Sequence, residues 1–158
     1  MHLKIWWSVP ALWACFIGCK PQQSPLHTDG PPPDLLASAA RFYDAYARDL
    51  REGHGAALAR YYAPEGALIV RGANRMHLSR SNIDSNYRSS WKGPAFFTWD
   101  SLTFDSLSPS LVLVTGSFKW QAVGSRDTTR FIYASLLEAI DSGLALRFEH
   151  ETPSPKNQ

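Results

Sequence analysis

Apolar and polar positions along the chain change period several times, and each change predicts an element. Residues 5–17 form a nearly unbroken apolar run carrying Trp6, Trp7, Val9, Leu12, Trp13, Phe16 and Ile17. Residues 20–33 have no apolar period at all. From Leu35 a helical period begins: Leu35, Ala39, Phe42, Tyr43, Tyr46, Ala47 and Leu50 recur on one face. Asp34 can cap this helix and Gly53 can stop it. A short second helix is expected over 55–62, presenting Leu58, Tyr61 and Tyr62, with Pro64 ending it. Residues 67–70 read as a brief strand and 71–75 as a turn. A third helix, capped by Ser79 or Ser81, places Ile83, Tyr87, Ser90 and Trp91 roughly on one face, and Gly93-Pro94 closes it.

Beyond Pro94 the period falls to two. Strands are predicted over 95–106, 111–123, 128–140 and 144–151, separated by Ser108-Pro109-Ser110, Gly124-Ser125 and Asp141-Ser142-Gly143. Such short connections favour antiparallel neighbours. Helices followed by a long antiparallel meander make an α+β order. The alternation also assigns faces. In the last strand Leu144, Leu146, Phe148 and His150 share the apolar face, while Arg147, Glu149 and Glu151 share the other. This phase predicts that His150 points toward the interior, near its mouth. Tyr133 is in phase with Phe131, Ser135 and Leu137; Trp99 with Phe97; Trp120 with Phe118 and Val114. These rows mix large and small residues, as a cavity wall or an unevenly packed core would.

The first regime fits a secretory leader. Lys4 precedes the apolar run, which is shorter than the ~20 residues a helix needs to cross a bilayer core. Phe16-Ile17-Gly18-Cys19 resembles the lipobox of bacterial lipoproteins, with Phe16 departing from the usual leucine. The resemblance implies a signal peptide over 1–18, lipid attachment at Cys19, and a domain held at the bacterial cell envelope, on the outer membrane facing the periplasm. Residues 19–33, with Pro21, Pro25, Pro31, Pro32 and Pro33, read as an extended tether. The domain is expected over 34–152 and a polar tail over 153–158. Cys15 and Cys19 are the chain's 2 cysteines, so the domain can hold neither a disulfide nor a thiolate metal site.

The net charge is +2 and no basic stripe occurs, which argues against a nucleic-acid partner. His54, His77 and His150 are scattered without a metal-ligand spacing, and no phosphate loop or Gly-x-Ser-x-Gly elbow is present. No metal and no cofactor is expected. Arg71, Arg75 and His77 lie near the short strand, where they could bind an anion, although solvated turn positions are the simpler reading. Asp44, Asp49 and Glu52 fit the wet face of the first helix.

Phe42-Tyr43-Asp44-Ala45-Tyr46, the Gly53-His54 break, Tyr61-Tyr62-Ala63-Pro64-Glu65-Gly66-Ala67 and Arg147-Phe148-Glu149-His150-Glu151-Thr152 resemble the nuclear transport factor 2-like superfamily, with its SnoaL-like cyclase and ketosteroid-isomerase branches. The resemblance covers 35–152 and implies a cone: three helices packed into a strongly curved antiparallel sheet. The isomerase branch would place its general base near Val70, its buried acid near Ser135 and its tyrosine donor near Ala45, positions that do not carry that chemistry here. Candidate ligand-binding residues are therefore Tyr43, Tyr46, Tyr62, Trp99, Trp120, Tyr133 and His150, with His150 also the candidate catalytic base. Three functions follow as expectations: a tethered domain binding a small apolar molecule, a cyclase-, isomerase- or dehydratase-type enzyme using His150, or a homodimeric association module for an envelope partner.

Overall fold

Pro33 opens the first helix because its fixed φ suits the first turn and its missing N–H is not needed there. The computed structural model describes residues 33–155, so the leader, Cys19 and most of the tether lie outside the described residues. Helix α1 spans Pro33–Arg51, with Asp34 in its first turn and Arg48 and Arg51 in its last, which complements the helix dipole. Asp34 is thus a first-turn residue and not the cap. Leu35, Ala39, Tyr43, Tyr46, Ala47 and Leu50 are buried along one stripe, as their spacing requires. Helix α2 (Gly55–Leu58) continues into a single 3-10 turn over Ala59–Tyr61. Helix α3 spans Arg80–Ser89 and is capped by Ser79, whose hydroxyl accepts from the Asn82 amide at 3.3 Å.

Six strands follow or intervene: β1 Ala67–Arg71, β2 Asn74–Leu78, β3 Pro94–Ser108, β4 Leu111–Ala122, β5 Thr128–Ile140 and β6 Gly143–Pro153. They form one sheet in the order β2-β1-β6-β5-β4-β3. All neighbours are antiparallel except β1 and β6, which run parallel. The sheet curves around the helices without closing, and the α+β architecture is the one expected. Strand β2 is the element that periodicity missed. Asn74–Leu78 is exposed or half-exposed throughout, so it has no apolar alternation to detect. It exists because the two-residue turn Gly72-Ala73 folds it back onto β1, with Gly72 at a φ of +56°.

The most consequential irregularity is in β6. Leu137 pairs with Leu146, but the adjacent Leu136 pairs with Phe148, leaving Arg147 as an extra residue. This β-bulge reverses the alternation beyond it. Leu146 points into the core, and after the bulge Glu149 and Glu151 take the inner face. Phe148 and His150 are turned to the outer face, where His150 pairs with Val70 and Ala134. The inward placement of His150 read from strict alternation is therefore overturned. Arg147 fixes the bulge by pairing with Glu138 and, at 2.7 Å, with Glu65.

Strand β3 also bends through bulges, one of them between Trp99 and Ser101. Opposite that bend lies Gly116, where an added Cβ would sit 2.1 Å from the Ser101 carbonyl oxygen. Backbone cannot move aside as a side-chain tip can. Gly116→Ala is therefore expected to destabilise the domain by about 3 kcal/mol, read as a lowered urea midpoint with an unchanged slope. An unaltered midpoint would mean that the two strands are not this close.

Candidate functional site

The polar centre of the cone is Glu149, whose side chain is fully buried. Tyr62 donates to its Oε2 at 2.7 Å, Tyr133 to its Oε1 at 3.2 Å, and Tyr46 to the same Oε1 at a long 3.4 Å. These phenols come from the segment after α2, from β5 and from α1, so the carboxylate ties helix layer to sheet. A second layer completes the network. The hydroxyl of Tyr43 bonds that of Tyr133 at 3.0 Å and also the Ser135 hydroxyl. Tyr62 and Tyr87 hydroxyls lie 3.2 Å apart.

Donor counting orients the network. A phenol has one proton. Tyr46, Tyr62 and Tyr133 direct theirs at Glu149, so Tyr87 must donate to Tyr62. Burial, with the negative charge of Glu149 added, pushes the Tyr87 phenol up to about 12. Burial likewise raises Tyr46 and Tyr62 well above the ordinary phenol range, with the Glu149 charge adding to it. These phenols are therefore neutral donors throughout the physiological range, not proton-transfer groups.

Above this network lies a cavity of about 290 Å³. Tyr46, Tyr87, Trp91, Trp99, Trp120 and Phe118 form most of its wall. Phe118 stacks on Phe131 with centroids 5.0 Å apart and planes 8° from parallel, while Trp99 meets Phe97 edge-on at 5.0 Å. The indole N–H of Trp99 is buried with no acceptor among the described residues. Two charged side chains reach this wall, Arg71 from β1 and Glu151 from β6. They pair through Arg71 Nε and Glu151 Oε2 at 3.3 Å. A second cavity of about 410 Å³ shares Arg71, Tyr87 and Trp91 with the first and is bordered by Tyr62, Ile69 and Met76.

Burial raises the Glu151 carboxyl to about 7, the Glu149 charge adds to the effect, and Arg71 opposes it. Burial lowers the Arg71 pKa, but Glu151 and Glu149 more than compensate and hold the guanidinium charged. Glu151 is thus a carboxyl on the cavity wall able to accept or donate a proton near neutral pH.

The sequence candidates fall into distinct places. Tyr46, Trp99 and Trp120 line the first cavity and Tyr62 the second. Tyr43 and Tyr133 are buried in the hydrogen-bonded network below. His150 borders neither cavity, because the Arg147 bulge turns it outward. Arg71, read first as a turn residue, belongs to the wall, whereas Arg75 and His77 are exposed on β2. Glu149 and Glu151 were missed as site residues, since alternation put them on the wet face. One signal did point there: the resemblance placed a buried acid near Ser135, and Ser135 pairs in register with Glu149 on the next strand. Asp49 is also not simply wet. It accepts from Tyr61 at 2.7 Å and contacts His54 Nδ1 at 3.2 Å. Burial alone would raise its pKa, but these hydrogen bonds more than reverse that. Asp49, Glu52 and His54 bring their ligand atoms within 4.8 Å of one another and are the group among the described residues that could hold a metal ion. Tyr61 and His54 already engage both oxygens of Asp49.

The raised Glu151 pKa makes stability depend on pH with a definite sign. Between the ordinary value of 4.5 and about 7 the folded protein holds this proton and the unfolded chain does not. Glu151 therefore favours folding below that window and loses the contribution as pH rises through it, by up to about 3 kcal/mol. Urea unfolding at pH 5 and pH 8 should show a larger loss of stability for the parent than for Glu151→Gln. Identical losses would rule the linkage out.

No protein-family model matches the sequence, and no curated protein matches it significantly. Solved structures do. An NTF-2 like protein of unknown function from Shewanella oneidensis MR-1 superposes with a TM-score of 0.62 at 14% identity, over 74% of this chain and 98% of that one. A candidate calcium/calmodulin-dependent protein kinase II association domain from Xanthomonas campestris gives 0.64 at 19% identity, over 85% and 95% of the two chains. A candidate scytalone dehydratase from Novosphingobium aromaticivorans DSM 12444 gives 0.58 at 11% identity, over 76% and 84%. Identities this low carry the architecture and nothing finer. With its three helices held in a curved, unclosed six-stranded sheet, the domain has the nuclear transport factor 2-like fold.

Proposed function

We propose that this protein is a lipid-anchored envelope protein whose cone binds a small, largely apolar molecule. The observation that carries the reading is the aromatic cavity of about 290 Å³, open to solvent, with a small polar edge at Arg71 and Glu151. A concave apolar site with few convergent polar groups is the usual form of a small-molecule pocket. The anchor rests on Phe16-Ile17-Gly18-Cys19 and the proline-rich segment after it. Among the described residues no helix is long and apolar enough to cross a membrane. The enzyme reading loses the base it was built on, since His150 is on the outer face.

Native mass spectrometry of the protein purified from its own envelope tests both parts. The expected spectrum contains a retained small molecule and a chain beginning at acylated Cys19. A chain still carrying Met1 would overturn the anchor. A spectrum without added mass, and no ligand recovered from the envelope extract, would count against the pocket.

A second reading, self-association, is favoured by the outer sheet face. Leu113, Leu136, Phe148 and Leu68 pair successively into an apolar row across β4, β5, β6 and β1. Four residues further along β5 on the same face, Ile132 is 50% exposed. An apolar face of this kind needs cover, and the Xanthomonas structure is described as a candidate association domain. Light scattering is expected to give the parent twice the monomer mass and Ile132→Glu the monomer mass. A monomeric parent would dismiss this reading.

A further inference from the structure

The cavity wall is more selective than an apolar pocket needs to be, and its electrostatics point one way. Aromatic rings present electron-rich faces, and Trp91, Trp99, Trp120 and Phe118 surround one space. Beneath and beside that space are two carboxylates, Glu149 and Glu151, and one guanidinium, Arg71. Arg71 is engaged with Glu151 through Nε. No ion pair to Glu149 occurs among the described residues, where its hydrogen bonds come from phenols. The protons of Tyr46 and Tyr87 are directed at Glu149 and at Tyr62 and are taken up within the buried network. The site therefore combines an aromatic wall with one more carboxylate than guanidinium.

We infer that the first cavity binds a small organic cation, an amine or quaternary ammonium group on a compact apolar body. This rests on the small-molecule reading above and names the chemical class of its ligand. The aromatic wall and the surplus carboxylate favour the charge, and the same wall takes the apolar body. An anionic ligand would have to displace Glu151 from Arg71 and lie over Glu149. Arg71 then acts as a positioning residue: it holds Glu151 at the wall.

The test uses the purified protein and three probes of matched shape: benzyltrimethylammonium, the uncharged neopentylbenzene, and the anion phenylmethanesulfonate. Binding is followed at pH 8 by tryptophan fluorescence and calorimetry. The expected order is cation first, with an affinity at least about ten-fold above the neutral probe, and anion last. Glu151→Gln should bring cation and neutral probe within about three-fold of each other. If the neutral probe binds as well as the cation, the inference fails while the apolar pocket stands. If the anion binds best, Arg71 governs the site and the inference is wrong. If none of the three binds, both the inference and the pocket reading fall.

Discussion

A fully buried carboxylate is costly unless its lone pairs are satisfied, and the domain is organised around meeting that demand at Glu149. Tyr46 on α1, Tyr62 after α2 and Tyr133 on β5 each bring a hydroxyl to it. None of these phenols can be supplied unless helix layer and sheet are already in their native arrangement. The carboxylate is thus a requirement on tertiary structure as much as a contributor to it. The same charge helps keep the surrounding phenols protonated and presses on Glu151, so the floor of the cavity and its titratable wall share one electrostatic origin.

The bulge at Arg147 decides which residues meet that demand. With strict alternation β6 would face Phe148 and His150 inward and leave both glutamates in water. One extra residue reverses this, and the Arg147 pairings with Glu138 and Glu65 hold the extra residue in place on the outside. An apolar-looking strand end becomes an acidic wall, while an aromatic and a histidine pass to the outer face beside Val70 and Ala134. That single irregularity places Glu151 beside Arg71 at the cavity edge and adds Phe148 to the apolar outer row.

The nuclear transport factor 2-like fold accommodates this without dictating it. Solved structures sharing the architecture are described as a candidate association domain, a candidate dehydratase or proteins of unknown function, so the fold sets where a pocket can be and its lining sets what enters. Here the lining is aromatic, with the Arg71–Glu151 pair at its edge and the buried Glu149 beneath, which is why ligand chemistry can be argued from the wall and the groups behind it.

The sequence by itself determined the helices, the four long strands and the α+β order, because each buries a face whose period is written in its own residues. Tyr46 on α1, Trp99 on β3 and Trp120 on β4 are offered by the sequence as candidates through their phase with other large rings, and all three border the first cavity. The leader and the Cys19 anchor are expectations from local pattern alone, and they lie outside the described residues. Strand β2 was not legible: with no buried face, Asn74–Leu78 is held by its turn and its neighbour. Nor was the Glu149 and Glu151 site. A bulge arises from pairing between strands, and β6 alone carries no sign that Arg147 is the residue left unpaired. Only the assembled sheet could decide which face of that strand is inside, and with it whether a histidine or a pair of glutamates meets the cavity.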